Sequence, residues 1–258
     1  MNISLKTFFV TSMTILFLLS LSACSLNEER DVIPKKDKYE KFNRKVFRFN
    51  KKLDNAIVKP IAKGYKKITP DIVEKGISNF FANIGDIKNA FNNILQFKLV
   101  DAGNDLTRFA FNSTFGLAGF IDVASGLGME KHNEDFGQTL AKWGVKSGSY
   151  VVTPFFGPST LRDSYTFYID LATNPLVYRD KSLAYSVLKG VNTRAKLLST
   201  EKILEEVSND EYALIRDAWL QEREYNIKDG NMDVTEQDDL ASELDALDES
   251  ESKGESKK

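Results

Sequence analysis

Apolar residues recur at steps of three and four along most of this chain, which predicts a succession of amphipathic helices. In "DKYEKFNRKVFRFNKKLDNAI", from Asp37, Tyr39, Phe42, Val46, Phe49, Leu53 and Ile57 share one face, and Lys41, Arg44, Lys45, Lys51 and Lys52 lie on the others. Phe47, off the main stripe, widens the apolar face, so Phe42, Val46, Phe47 and Phe49 are candidates to meet lipid beside anionic head groups. A core helix with a solvated basic back fits the same pattern. Pro60 is expected to end or bend this element. A second helix is expected with Thr69 as N-cap and Pro70 at its first position, bearing Val73, Ile77, Phe80 and Ile84. Gly85 and Asp86 suggest a break before a short helix with Ile87, Phe91, Ile94 and Leu95. From about Asp101, "LTRFAFNSTFGLAGFIDV" is apolar on most sides, with Gly116 and Gly119 either allowing close backbone approach or ending the helix.

The regular pattern then fails. Residues 136–163 crowd Phe136, Trp143, Tyr150, Phe155 and Phe156 among glycines and prolines, closing on Arg162 and Asp163. An extended region is expected near residues 138–153, as a short hairpin turning at Gly148 or an irregular loop. Ser159 is expected to cap a helix that stops before Pro175. Two further amphipathic segments carry Leu183, Val187, Val191 and Leu198, then Tyr212, Ile215 and Trp219, and Gly230 ends the ordered part. The fold class is mostly α.

The amino terminus changes the setting. After Lys6, an apolar run from Phe8 to Leu21 has the length of a secretory h-region and is short for a spanning helix of about 20 residues. It ends in "LSAC", the form of a lipoprotein processing site, so residues 1–23 are expected to be removed and Cys24 to be acylated. Cys24 is the sole cysteine, which excludes a disulfide framework and a cysteine-based metal site. Residues 24–36 then form a lipid-anchored tether, 37–230 the helical domain and 231–258 a tail. With several acyl chains, anchoring is stable.

Charge is nearly balanced overall, but residues 35–67 hold 13 Lys or Arg against 3 acids, and residues 228–258 hold 4 against 11. The export signal removes nucleic acid as the partner of the basic segment. No later apolar run is long enough to span a bilayer, and the strict alternation of a membrane barrel is missing. The acidic tail has the composition of a disordered segment, yet Leu240, Leu244 and Leu247 keep helical spacing and could fold into a partner's groove.

Catalytic patterns are sparse. His132 is the one histidine, no G-x-S-x-G elbow surrounds a serine, and His132 with Glu134 finds no further His or Cys to complete a zinc site. No Walker-type phosphate loop is present. No enzymatic activity, metal or cofactor is expected.

"YEKFNRKVFRFNKKLD", "GFIDVAS", "EDFGQTLAKWGV" and "PFFGPSTLRD", in this order, resemble the MlaA (VacJ) lipoproteins of Gram-negative bacteria over residues 39 to about 225. Ala141, Ser149 and Ser164 depart from the family pattern, with local consequences for turns. The resemblance implies a ring-like helical lipoprotein in the inner leaflet of the outer membrane, beside a trimeric porin. Such proteins remove phospholipids that have strayed into the outer leaflet, through an amphipathic passage, and deliver them to the periplasmic carrier MlaC. On this reading Phe136, Trp143, Gly144, Gly148, Tyr150, Phe155, Phe156 and Arg162 are candidates to line the passage, although each ring also suits an ordinary core, and Arg162 suits an ion pair with Asp163. The acidic tail becomes a candidate docking site for the carrier. The alternatives are a structural lipoprotein bracing a porin without moving lipid, and a lipid-cleaving enzyme using His132.

Overall fold

The computed structural model describes residues 37–207 and 210–231. The signal segment, Cys24, the tether and the tail with Leu240, Leu244 and Leu247 lie outside the described residues.

The first predicted helix is α1, Glu40–Leu53, and Pro60 does not end it. A π turn, Asp54–Val58, runs directly into α2, Lys59–Ile68, with Lys59 N donating to Asp54 O five residues back. The shift in register absorbs the hydrogen bond that Pro60 cannot donate. Helix α3, Asp71–Leu95, is one unbroken element of 25 residues, so the break expected at Gly85 and Asp86 is absent. The apolar steps of four and three run on across it through Ile87, Phe91 and Ile94. Pro70, not Thr69, sits at its N-cap, because the residue before a proline is held extended, as Thr69 is.

Helix α4, Leu99–Phe115, stops at Gly116. Both roles considered for the two glycines occur there: a Cβ on Gly116 would lie 2.1 Å from Ile121 O, and one on Gly119, at φ +92°, 2.5 Å from Asn83 Nδ2. The short α5, Val123–Gly126, follows.

The aromatic stretch folds differently from its expected layout. Residues 136–142 are helical, α6, because the Asp135 carboxylate accepts from Gln138 N and caps a turn. The hairpin lies later, β1 Tyr150–Thr153 against β2 Gly157–Thr160, antiparallel with Tyr150 opposite Thr160. Its turn is at 154–156, with Phe155 at φ +69° and Gly157 at +84°, whereas Gly148 (φ +72°) sits in the loop before β1. Helix α7, Leu161–Thr173, is capped by Thr160, one residue past the expected Ser159, with Asp163 N donating to its hydroxyl at 3.2 Å. A 3-10 turn at Pro175–Tyr178 leads to α8, Ser182–Val207, and α9, Glu211–Ile227, completes the helices.

Packing closes these elements into a circuit, the mostly helical, ring-like fold: α1 on β1, β2 on α7, α7 on α6, α6 on α3, α3 on α8, and α8 on α2, which continues α1. Two asparagines seven residues apart close the joint between α1 and the hairpin. Asn43, fully buried, donates to Tyr150 O at 3.1 Å and accepts from Val152 N at 2.9 Å. Asn50 repeats the arrangement two turns later with Thr153 O and Phe155 N, both at 3.0 Å. A small apolar core of Val46, Tyr150, Val152, Tyr212 and Leu220, with Phe47 and Trp219 against it, fills the space behind this joint.

Asn43→Ala would strand two buried backbone groups and is expected to lower the unfolding free energy by about 2–4 kcal/mol. Asn50→Ala, at the more open end, should cost roughly half as much. Chemical denaturation in detergent checks both, and equal small losses would mean that the amides do not hold the joint.

Candidate functional site

Helix α3 shows its polarity the wrong way round for a protein in water. Asn83, Asp86, Asn89, Asn92 and Asn93 are buried, while Val73, Phe91 and Ile94 are exposed. Around the same region Ile72 is 81% exposed, Val100 85% and Phe97 86%, joined by Ile68, Leu99, Phe115 and Leu117. Large apolar side chains exposed at both ends of α3, with amides and ions buried along it, reverse the usual distribution. Among the described residues no helix is long and apolar enough to cross a membrane.

The polar interior is held by paired bonds. Arg108, 1% exposed, donates to both Asp122 oxygens at 3.1 Å and to Met129 O at 2.5 Å. Asp86 bonds Lys131, Asn93 donates to Asp105 at 2.8 Å, and His132 Nδ1 lies 2.9 Å from the other Asp105 oxygen. Burial pushes the Asp86 and Asp105 carboxyls up, against the pull of these partners. A second knot joins α9 to α6 and α7: Arg223 bridges Asp135 at 2.5 and 2.8 Å and Asp163 at 2.9 and 3.0 Å. Gly137 is required beside it, since a Cβ there would lie 2.2 Å from Asp163 Oδ1.

Two cavities share Asn133 in their walls. The larger, about 430 Å³, runs between α3 and α8 and is walled by Ser78, Phe81, Gly85, Lys88, Lys189, Asn192, Thr193 and Lys196, with Lys131 and His132 from the following loop. Gly85 therefore opens space instead of breaking a helix, as a Cβ there would touch nothing within 4 Å. The smaller, about 300 Å³, lies among α6, α7 and α9, lined by Asp135, Asp163, Asp170, Glu222 and Arg223. Burial raises Asp170 to about 6, against the pull of Lys88 and helped by repulsion from Asp135, although Phe136 N donates to it at 3.0 Å.

None of the eight expected passage residues lines either cavity. Phe136 and Tyr150 are buried, Phe136 edge-on to Trp143 at 6.1 Å and Tyr150 in the apolar core. Arg162 is buried in a structural role, bonding Asp163 at 3.0 Å and Val145 O at 3.1 Å. Trp143, Phe155 and Phe156 are exposed, with Phe155 edge-on to Phe49 at 5.7 Å and Phe156 tilted against Phe167 at 4.5 Å. A Cβ on Gly144 (φ +86°) would meet open space, and one on Gly148 would lie 3.2 Å from Leu161 Cβ. Of the expected membrane-facing residues, Phe42 and Phe49 are exposed, but Val46 is buried and Phe47 packs on Tyr212 at 5.6 Å, so they face the core. The sequence reading passed over the lysines of the larger cavity and the asparagines of α3.

A helical ring that buries amides and ions and exposes large apolar side chains has the polarity of a membrane-associated protein. The chain belongs to the MlaA lipoprotein family, whose model matches residues 35–226. It is similar to the intermembrane phospholipid transport system lipoprotein MlaA of Escherichia coli, 34% identical over 79% of this chain and 86% of that protein. An uncharacterized protein of Rickettsia bellii is 37% identical over 74% of this chain and 77% of its own length. A solved structure, described as the structural basis for maintenance of bacterial outer membrane lipid asymmetry, superposes with a TM-score of 0.67 at 32% identity, covering 75% of this chain and all of that one.

Asp170 gives a pH-dependent prediction. Its folded value is raised, so folding disfavours its charged form: the penalty is absent below the usual value of 3.8 and complete above about 6. Asp170→Asn is therefore expected to raise stability by up to about 2 kcal/mol at pH 7 and to change little at pH 4. Denaturation at both values checks this, and an equal effect at each would exclude the charge as its cause.

Proposed function

We propose that this chain is an acyl-anchored ring in the inner leaflet of the outer membrane that draws misplaced phospholipids from the outer leaflet through its polar centre and passes them to a periplasmic carrier. The observation that carries this reading is the inverted polarity: lipid suits the outer surface, and head groups suit the cavities within. Irregular backbone such as the 116–122 and 143–149 loops is tolerated at membrane depth where protein or an aqueous cavity covers it. The family assignment and the transport role in the name of the Escherichia coli relative support the same reading.

The route needs no bond to be made or broken. His132 faces two carboxylates, with Asp101 3.9 Å from its Nε2 and Asp105 on its Nδ1, and among the described residues no serine is bonded to it. This gives the lipid-cleaving alternative no nucleophile. The cavity residues of α3, α7 and α8 replace the aromatic stretch as the passage, and Phe155, Phe156 and Trp143 meet acyl chains at the surface. Cys24 carries the anchor, residues 24–36 tether the domain, and a trimeric porin is the neighbour in the membrane. The acidic tail, through Leu240, Leu244 and Leu247, docks an MlaC-like carrier with a basic rim.

A strain lacking the chain is expected to expose more phospholipid on its surface, measured by outer-leaflet labelling, and the wild type should reverse this. A protein that merely braces a porin need not change leaflet composition. An Ile72→Asp, Val100→Asp variant, which puts charge into the exposed apolar surface, should fail to complement; full complementation would mean that this surface does not face lipid. For the tail, removing residues 235–258 should reduce capture of the purified carrier at least tenfold, and unaltered capture would refute the docking role.

A further inference from the structure

Four lysines converge on the larger cavity: Lys88 from α3, Lys131 from the loop after α5, and Lys189 and Lys196 from α8. No Asp or Glu is among the described residues that wall it. Lys131 is engaged by Asp86 and by Ala82 O at 2.9 Å. Lys88, Lys189 and Lys196 have no carboxylate within 4 Å among the described residues, and Lys189 remains accessible from the cavity. Lys189 is also crowded, since burial first and the charge of Lys88 second lower its pKa. Across Asn133 the neighbouring cavity is acidic, with Asp135, Asp163, Asp170 and Glu222.

Ammonium groups that share one cavity with no carboxylate in its wall repel one another, as Lys88 and Lys189 do, a cost that an anion seated among them offsets. Lysine suits phosphate as a mobile point charge, and three donors on each ammonium can share two unesterified oxygens. The acidic cavity repels the same anion and confines it to the lysine side. We propose that Lys88, Lys189 and Lys196 form a binding site for a phosphate group, and that its source is the phosphodiester of a phospholipid head group held in the ring. The lipid source rests on the transport reading; the phosphate chemistry of the site stands without it.

The test uses the full mature chain in detergent, titrated calorimetrically with dihexanoyl phosphatidylglycerol. Lys88→Gln with Lys189→Gln is expected to weaken binding by about tenfold or more, while Lys189→Arg retains most of it. Lys189→Gln alone, at an accessible position, serves should the double variant fail to fold, and is expected to cost several-fold. Asp170→Asn, in the acidic cavity, should not weaken binding. Undiminished affinity in the folded lysine variants, or an equal loss in Asp170→Asn, would overturn the site. Inorganic phosphate as competitor separates the sources: displacement only at roughly tenfold or greater excess supports the lipid, whereas phosphate binding as tightly as the lipid overturns that assignment. Absence of surface phospholipid in the strain lacking the chain would sink the transport reading alone and leave the lysine site to its own test.

Discussion

Each buried amide and ion on the inner face of α3 makes at least one bond to a neighbouring element, because a polar group left wholly unpaired in a water-poor interior costs about 1–3 kcal/mol and an unpaired charge more. That requirement fixes the architecture. Helix α3 turns Asn83, Asp86, Asn89, Asn92 and Asn93 inward, so α4, the 116–133 loops and α6 each supply a complementary donor or acceptor, while Asn192 of α8 donates to Ser78 of α3. Arg108 collects the loop after α4 by bonding Asp122, Ser125 and Met129. Arg223 collects α6 and α7 by the same means. Directional bonds do here what apolar packing does in an ordinary core, and the apolar surface is left free to face outward.

This inversion explains which parts of the fold were legible in the sequence. A periodic stripe identifies a helix whichever side is buried, so α1, α8 and α9 follow from spacing, whereas α7 follows from its capping residue and Pro175 and α4 from a run apolar on most sides. Spacing does not say which face is inside. Val46 and Phe47, which the pattern also allows to meet lipid, turn inward because a small apolar core of the described residues lies under α1. Gly85 and Pro60 look like breaks because each weakens a helix locally. One instead borders a cavity, and the other is accommodated by a π turn.

The candidate site was harder to see for a related reason. Rings crowded among glycines give residues 136–163 the look of a lipid route, but Tyr150 and Phe136 are packed inside and Arg162 is a strut. The cavity walls are ordinary lysines, asparagines and threonines, each indistinguishable in sequence from a solvated surface residue. Only their convergence from α3, α8 and one loop gives them meaning. A signal was present in the alternation of asparagines with an unbroken apolar heptad along α3, but it reads as a membrane-facing helix only once the interior is known to be polar.

The side-chain amides of Asn43 and Asn50 occupy the outer rim of β1, taking Tyr150 O, Val152 N and Thr153 O while β2 takes the other side. A two-stranded ribbon normally offers one rim on which a foreign strand can template itself. In this molecule the rim is already spoken for, so copies crowded together in two dimensions find no ladder to extend, and the ribbon stays private to its own chain.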